Sequence, residues 1–216
     1  MFQSVYNYDL ACFDVINRSL QNVVFDIVMP ILSEFSYFII PLLFLLTLFV
    51  RYYKKKGGIL LLLTVVTVIS SDQISSAVLK PLIGRYRPCN ERGDIHLFVH
   101  HQWMQTPAFP LKFYKPKRSY SFPSSHAANT FAVATLWYTY LKGPYWLLFF
   151  LAAAISYSRI YLGVHYPLDV IGGALLGILT ALFWFYCYQD ILLRFAWFKP
   201  NRPQEQPVEN QSQGDV

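Results

Sequence analysis

Apolar residues crowd five stretches of this sequence, about Val24 to Val50, Ile59 to Leu79, His126 to Leu141, Tyr145 to Tyr161 and Leu168 to Tyr188. Runs near or above roughly 18 residues let a helix cross the hydrocarbon core of a bilayer. The pattern predicts an all-α polytopic membrane bundle of five transmembrane helices. Ahead of it, residues 5–20 set Tyr6, Leu10, Phe13, Ile16 and Leu20 at helical spacing, with Asp9, Asp14 and Arg18 elsewhere. That spacing fits an interfacial amphipathic helix, and an ordinary packing helix about as well. Three units follow: an N-terminal helix over 1–22, a membrane core over 23–199, and a polar, Pro-rich tail over 200–216 that is expected to be disordered.

Polar residues inside and between these runs carry the detail. Pro30 and Pro41 are expected to kink the first span, and Glu34, flanked by Ser33 and Ser36, is expected to face the bundle. Arg51, Lys54, Lys55 and Lys56 form a short basic loop over 51–57. The second span turns polar from Ser70 onward. Asp72, Ser76 and Lys80 follow an i, i+4, i+8 pattern, so they share one face. That face reads as the wall of a buried polar site or as a hydrogen-bonding stripe between helices. The connection from Lys80 to about Tyr120 is rich in aromatics and cations (Phe98, Trp103, Phe109, Lys112, Phe113, Tyr114, Lys115, Lys117, Arg118) and is expected at the membrane surface. Gly173-x3-Gly177 in the last span would let a neighbouring helix approach closely.

Composition narrows the class further. The chain has 216 residues, 55% of them apolar, with 18 Phe and 16 Tyr, which fits an integral membrane protein. A net charge of +6 favours anionic lipids or phosphates, and nothing in the pattern indicates nucleic acid. Cys12, Cys89 and Cys187 are odd in number and lack metal spacing; a single Cys12–Cys89 bridge stays open. His96, His100 and His101 have no carboxylate or cysteine at ligand spacing, so neither a metal nor a cofactor is expected. Asp9 and Asp14 interrupt the N-terminus, which does not read as a cleaved signal.

Ionisable groups concentrate at the ends of the spans, where hydrocarbon makes them expensive unless they are buried, paired or used. Arg159, His165 and Asp169 fall between the fourth and fifth spans, with Gly163 as a break and Pro167 at a first helical turn. Asp169, four residues after His165, can accept the imidazole Nδ1–H and leave Nε2 free as nucleophile or base. A structural polar cluster at a turn is the plain alternative. Ser124 and Ser125 precede His126 at the start of the third span, where Ser124 reads as an N-cap and the helix N-terminus as an anion site. Lys80 and Arg87 close the second. If these segments meet, cations and a helix N-terminus surround two histidines, a setting for metal-free phosphoryl chemistry. Topology puts the 80–125 and 159–168 connections on one face. The other face takes Arg51, Lys54, Lys55, Lys56, Lys142, Arg194, Lys199 and Arg202, which marks it as cytoplasmic and the active face as extracytoplasmic.

Lys80-x6-Arg87-Pro88, Pro123-Ser124-Ser125-His126 and Ser158-Arg159-x5-His165-x3-Asp169 together resemble the three-part signature of the type 2 phosphatidic acid phosphatases (PAP2). The resemblance implies a membrane lipid phosphatase of the bacterial inner membrane. In it His165 would form a phosphohistidine, Asp169 would orient it, and His126 would be the general acid. Lys80, Arg87, Ser124, Arg159 and the Ser125 backbone would hold the phosphoryl oxygens. The family's usual Gly in the second motif is Ser125 here, and its side chain is expected to crowd the oxyanion and affect rate. The implied partner is a phosphorylated membrane lipid entering from the outer leaflet. Undecaprenyl diphosphate leads by similarity to bacterial members; phosphatidylglycerol phosphate, phosphatidic acid and lipid A are alternatives. A lipid phosphotransferase and a non-enzymatic anion-binding transporter are the competing classes.

Overall fold

Helix α1, Phe2–Asp14, opens the chain and widens into a five-residue π-turn, Val15–Ser19. The computed structural model describes residues 2–106 and 120–197. The cations and aromatics expected at the membrane surface from Phe109 to Arg118, Lys199, Arg202 and the tail over 200–216 lie outside the described residues. Asn22 caps helix α2, Val23–Ser33, by accepting the Phe25 N–H at 2.9 Å. The helices on either side of it bend by 116°. Helix α1 packs through the middle of the apolar stripe read from its spacing: Phe13 is buried, and Leu10 and Ile16 pack against the same core. Asp9, Phe13 and Asn17, each four apart, form its buried face, while Tyr6 and Leu20 are exposed.

The first expected span is broken rather than kinked. Glu34 adopts extended geometry and a short 3₁₀ turn, Phe35–Phe38, leads into α3, Ile39–Gln73. Pro30 sits inside α2, and Pro41 in the first turn of α3, where its missing N–H would be unpaired anyway. Glu34 is exposed and accepts the Ser36 hydroxyl at 3.0 Å, instead of facing the bundle.

Helix α3 doubles back at Lys54 (φ 50°, ψ −126°). A Cβ on Gly57 would lie 3.3 Å from the Val50 Cα, whereas seven residues of straight helix cover about 10 Å. Phe49 and Leu60 consequently share one apolar cluster with Leu136 and Ala181. The basic 51–57 stretch is therefore a turn, as the charge pattern suggests. Beyond it the helix passes through a second π-turn, Ile74–Leu79, into α4, Lys80–Ile83, and ends at Gly84 (φ 65°).

Helix α5, Pro88–Glu91, precedes a β-hairpin, a departure from the expected all-α chain. Strands β1, His96–Val99, and β2, Gln102–Gln105, pair antiparallel. The hairpin turns on His100 and His101, both with positive φ (52° and 60°). Such a turn normally announces itself with Asn-Gly, and two histidines give no such signal. His96 is occupied within the fold: its Nε2 lies 2.9 Å from Asp26, and its ring stacks on Trp103. Cys12 and Cys89 are free thiols.

Helices α6, Ser125–Leu141, α7, Leu147–Tyr161, and α8, Pro167–Trp197, complete the bundle. Ser36–Ile83 and Pro167–Arg194 are long and apolar enough to cross a membrane, and the bent pair Gln3–Ser19 and Val23–Ser33 makes a third candidate. Five separate spans were expected. The difference arises because the first two runs fall largely in one segment folded at Lys54, and because α6 and α7 have only 17 and 15 residues. Helices α6 and α8 approach as closely as backbones allow. A Cβ on Gly173 would meet the Ser124 carbonyl oxygen at 2.4 Å, and one on Gly177 the Ala128 oxygen at 2.1 Å.

Candidate active site

The close contact of α6 with α8 sets two of the three site segments side by side. Ser124 donates its backbone N–H to the Asp169 carbonyl at 2.9 Å, tying the start of α6 to the first turn of α8. The third segment arrives from the π-turn. There hydrogen bonds run from i to i+5, so residues five apart stack on one face. Ser75 and Lys80 are five apart, and both reach Ser125: Lys80 Nζ donates to its Oγ at 2.8 Å, and Ser75 Oγ lies 3.0 Å away. The side chains that reach Ser125 are therefore Ser75 and Lys80 rather than Ser76 and Lys80. Ser71 and Ser75 are buried, while Ser76 is exposed and bonds back to the Asp72 carbonyl of its own helix. The Ser125 side chain turns toward these partners.

Ser124 occupies the N-cap position of α6, yet its hydroxyl makes no capping bond. That oxygen is buried and has no hydrogen-bond partner among the described residues. Next to it, the His126 imidazole lies within hydrogen-bonding reach of the Ser33 main chain. Arg159, in the last turn of α7, donates to the Ser33 hydroxyl, so the break after α2 touches both groups. Its carbonyl accepts the His165 N–H at 3.2 Å. Gly163 (φ 76°) makes the intervening turn, and a Cβ there would strike Ile95 at 2.6 Å.

His165 is buried, 2% exposed. Arg87 Nη1 lies 3.4 Å from its Nε2 and donates to the Val164 carbonyl at 3.2 Å. A guanidinium can only donate, so this contact requires a bare Nε2 and places the ring proton on Nδ1. Burial, then the positive charges of Arg87, Arg159 and Lys80, hold His165 well below the usual imidazole range. The ring is therefore neutral at physiological pH, the form in which nitrogen is nucleophilic. Asp169 faces Nδ1, but Oδ2 lies 3.6 Å away, too far for the hydrogen bond the spacing suggests. Oδ2 instead accepts the Tyr166 N–H at 2.8 Å, as a third-position carboxylate does for a helix N-cap. Such contacts are commonly long before substrate arrives.

Of the residues singled out for the site, Arg87 and Asp169 flank the His165 ring, the Arg159 carbonyl accepts the His165 backbone N–H, Ser124 bonds Asp169, Lys80 reaches Ser125, and His126 lies close enough to His165 for their charges to interact. Sequence reasoning missed Ser75, Ser33, Arg85 and Asp9. Arg85 donates to Asp169 Oδ1 at 2.9 Å and pairs with Asp9, whose side chain is fully buried. The available signal for Asp9 was its four-residue spacing with Phe13 and Asn17.

Residues 57–192 match the sequence model of the family described as the PAP2 superfamily. The chain is 36% identical over 110 residues to the lipid A 4′-phosphatase of Bacteroides thetaiotaomicron, covering 50% of this chain and 44% of that protein. It is 49% identical over 65 residues to the putative undecaprenyl-diphosphatase YbjG of Escherichia coli, covering 29% and 32%. These matches span less than half the length of either curated relative. Among solved structures, the transmembrane PAP2-type phosphatidylglycerolphosphate phosphatase of Bacillus subtilis superposes with a TM-score of 0.59 at 25% identity, covering 87% of this chain and 88% of that one.

Proposed function

Because the chain belongs to the PAP2 superfamily, we propose that it is a membrane lipid phosphatase that hydrolyses a phosphate or diphosphate headgroup through a phosphohistidine at His165. The observation that carries the reading is a buried, neutral imidazole whose Nε2 faces Arg87, with Asp169 on its other side. Nε2 attacks the terminal phosphorus and forms an N–P bond. As the bond to the leaving oxygen breaks, which belongs to the lipid alcohol of a monophosphate or to the lipid monophosphate of a diphosphate, His126 gives that oxygen its proton. Water, losing a proton to His126, then attacks the same phosphorus and releases inorganic phosphate. Lys80, Arg87, Arg159, the Ser124 hydroxyl and the Ser125 N–H neutralise and orient the phosphoryl oxygens through both steps. No step calls for a metal.

Undecaprenyl diphosphate is the leading substrate, supported by the 49% identity to the E. coli protein. A lipid A phosphate is the second reading, favoured by the longer alignment to the Bacteroides enzyme. The active face is extracytoplasmic in the bacterial inner membrane. Supporting this, Tyr53 bonds Tyr145 at 2.9 Å and Tyr140 bonds the Lys56 carbonyl. These contacts gather Arg51, Lys54, Lys55, Lys56 and Lys142 at the end of the bundle away from His165.

The test is phosphate release by the detergent-purified protein, with EDTA present. The panel is undecaprenyl diphosphate, phosphatidylglycerol phosphate, phosphatidic acid and lipid A. Release from one lipid, lost in His165→Ala, is expected. Turnover retained in that variant would overturn the mechanism. Transfer to an added lipid acceptor without free phosphate would replace hydrolysis by phosphotransfer.

A further inference from the structure

Asp9 and Arg85 form a charged chain that the phosphoryl chemistry above does not use. Asp9 lies on the first helix, far in sequence from every site segment, yet its side chain is fully buried. Its Oδ2 pairs with Arg85 Nη2, and its Oδ1 accepts the Leu168 N–H at 2.8 Å. That N–H is one of the orphan donors at the start of α8. Arg85 uses its other arm, Nη1, to hold Asp169 Oδ1 at 2.9 Å. The guanidinium also lies 4.1 Å over the Tyr166 ring. With Tyr166 N–H on Oδ2, both oxygens of Asp169 are fixed, and the carboxylate plane has little freedom to turn.

Burying three charges is costly unless each is paired, and here the pairing runs in one direction. Helix α1 supplies Asp9, Asp9 holds one arm of Arg85, and the other arm aims Asp169 at the Nδ1 side of His165. The phosphate ligands approach from elsewhere: Arg87 sits at Nε2, and Lys80 sits on Ser125. We propose that Asp9 and Arg85 are positioning residues for the reaction, so that the N-terminal helix is a working part of the active site. Asp9 keeps Arg85 in place, and Arg85 sets the orientation and charge of Asp169 behind the nucleophile. The inference rests on His165 and Asp169 having the roles given above.

The geometry separates this from a purely structural role, because the effect must pass through Asp169 and leave phosphate binding alone. The test uses the full-length protein and the panel lipid that it hydrolyses best. Asp9→Asn keeps an acceptor for the Leu168 N–H but removes the charge that holds Arg85. A fall in kcat of roughly 10- to 100-fold is expected, as for other groups that orient a reacting residue, with KM within about threefold of wild type. In an Asp169→Asn background the same change should lower kcat by less than about twofold, since the group it acts through is already altered. An unchanged kcat, or an equal loss in both backgrounds, would overturn the proposal. If Asp9→Asn aggregates on size-exclusion chromatography, Arg85→Lys is read by the same criteria, because it keeps the charge and loses the two-armed grip. His165→Ala run alongside separates the two levels: turnover there refutes the underlying mechanism, whatever Asp9 does.

Discussion

Replacing Gly177 with alanine places one methyl group where α6 and α8 touch. The added Cβ would lie 2.1 Å from the Ala128 carbonyl oxygen and 2.9 Å from the Ala132 nitrogen. Both are backbone atoms of a helix, so neither can rotate away. Ordinary contact begins near 3.4 Å, so the helices must separate by 1.3 Å at this point (3.4 less 2.1). Overpacking of this kind costs about 1–3 kcal/mol, or roughly 2–12 °C in melting temperature for a chain of this size. The functional cost should be larger in proportion. Helix α6 begins with Ser125 and His126 and α8 carries Asp169, and misplacement of reacting groups by about 1 Å can cost on the order of 100-fold in rate. Gly177 lies two turns from Asp169, so a loss of kcat/KM of at least about tenfold is expected. The assay is phosphate release together with thermal unfolding in the same detergent. Gly58→Ala is the control: its Cβ would meet nothing within 4 Å, and relief of backbone entropy should stabilise by about 0.5–1 kcal/mol. If Gly177→Ala matched wild type in both assays, the argument that this contact sets the site would be wrong.

Ser125→Gly removes the side chain at this position and tests what the hydroxyl does. Since Ser125 Oγ accepts from Lys80, the variant should raise KM by roughly tenfold, about 1.5 kcal/mol for a charged hydrogen bond; a faster enzyme would mean the side chain crowds the oxyanion after all. His165, held below the ordinary imidazole pKa by burial and by Arg87, Arg159 and Lys80, should stay unprotonated at pH 6.5, where a free imidazole is half charged. Histidine NMR, assigned by loss of the signal in His165→Gln, reads this directly. Arg87→Met should move the midpoint upward, and a midpoint already at the ordinary value in the wild type would contradict the proposed environment.

The residues of the site were legible because each sits at the end of an apolar run, where an ionisable group is conspicuous. What escaped was geometry that local pattern does not encode. Asp72, Ser76 and Lys80 align on a regular helix, but the π-turn at Ile74–Leu79 shifts the register by one residue and brings Ser75 to Ser125 instead. Asp9 looked like the polar side of a surface helix, because its partners Arg85 and Leu168 are distant in sequence. The hairpin at His96–Gln105 has strands too short for a clear alternation and a turn with none of the usual residues. The doubling back at Lys54, in contrast, was announced by its charges, though not by any helix breaker at that position.

The π-turn before Lys80 also sets a direction for changes in chain length. It holds one residue more than a regular turn would need to carry the helix from Ser75 to Lys80. Deleting any one of Ser76, Ala77, Val78 or Leu79 would leave serine and lysine four apart, on the same face of an ordinary α-helix. Adding one would swing the ammonium about 100° around the axis, away from Ser125. Descendants of this fold should therefore be able to lose a residue here and keep their chemistry, but not to gain one.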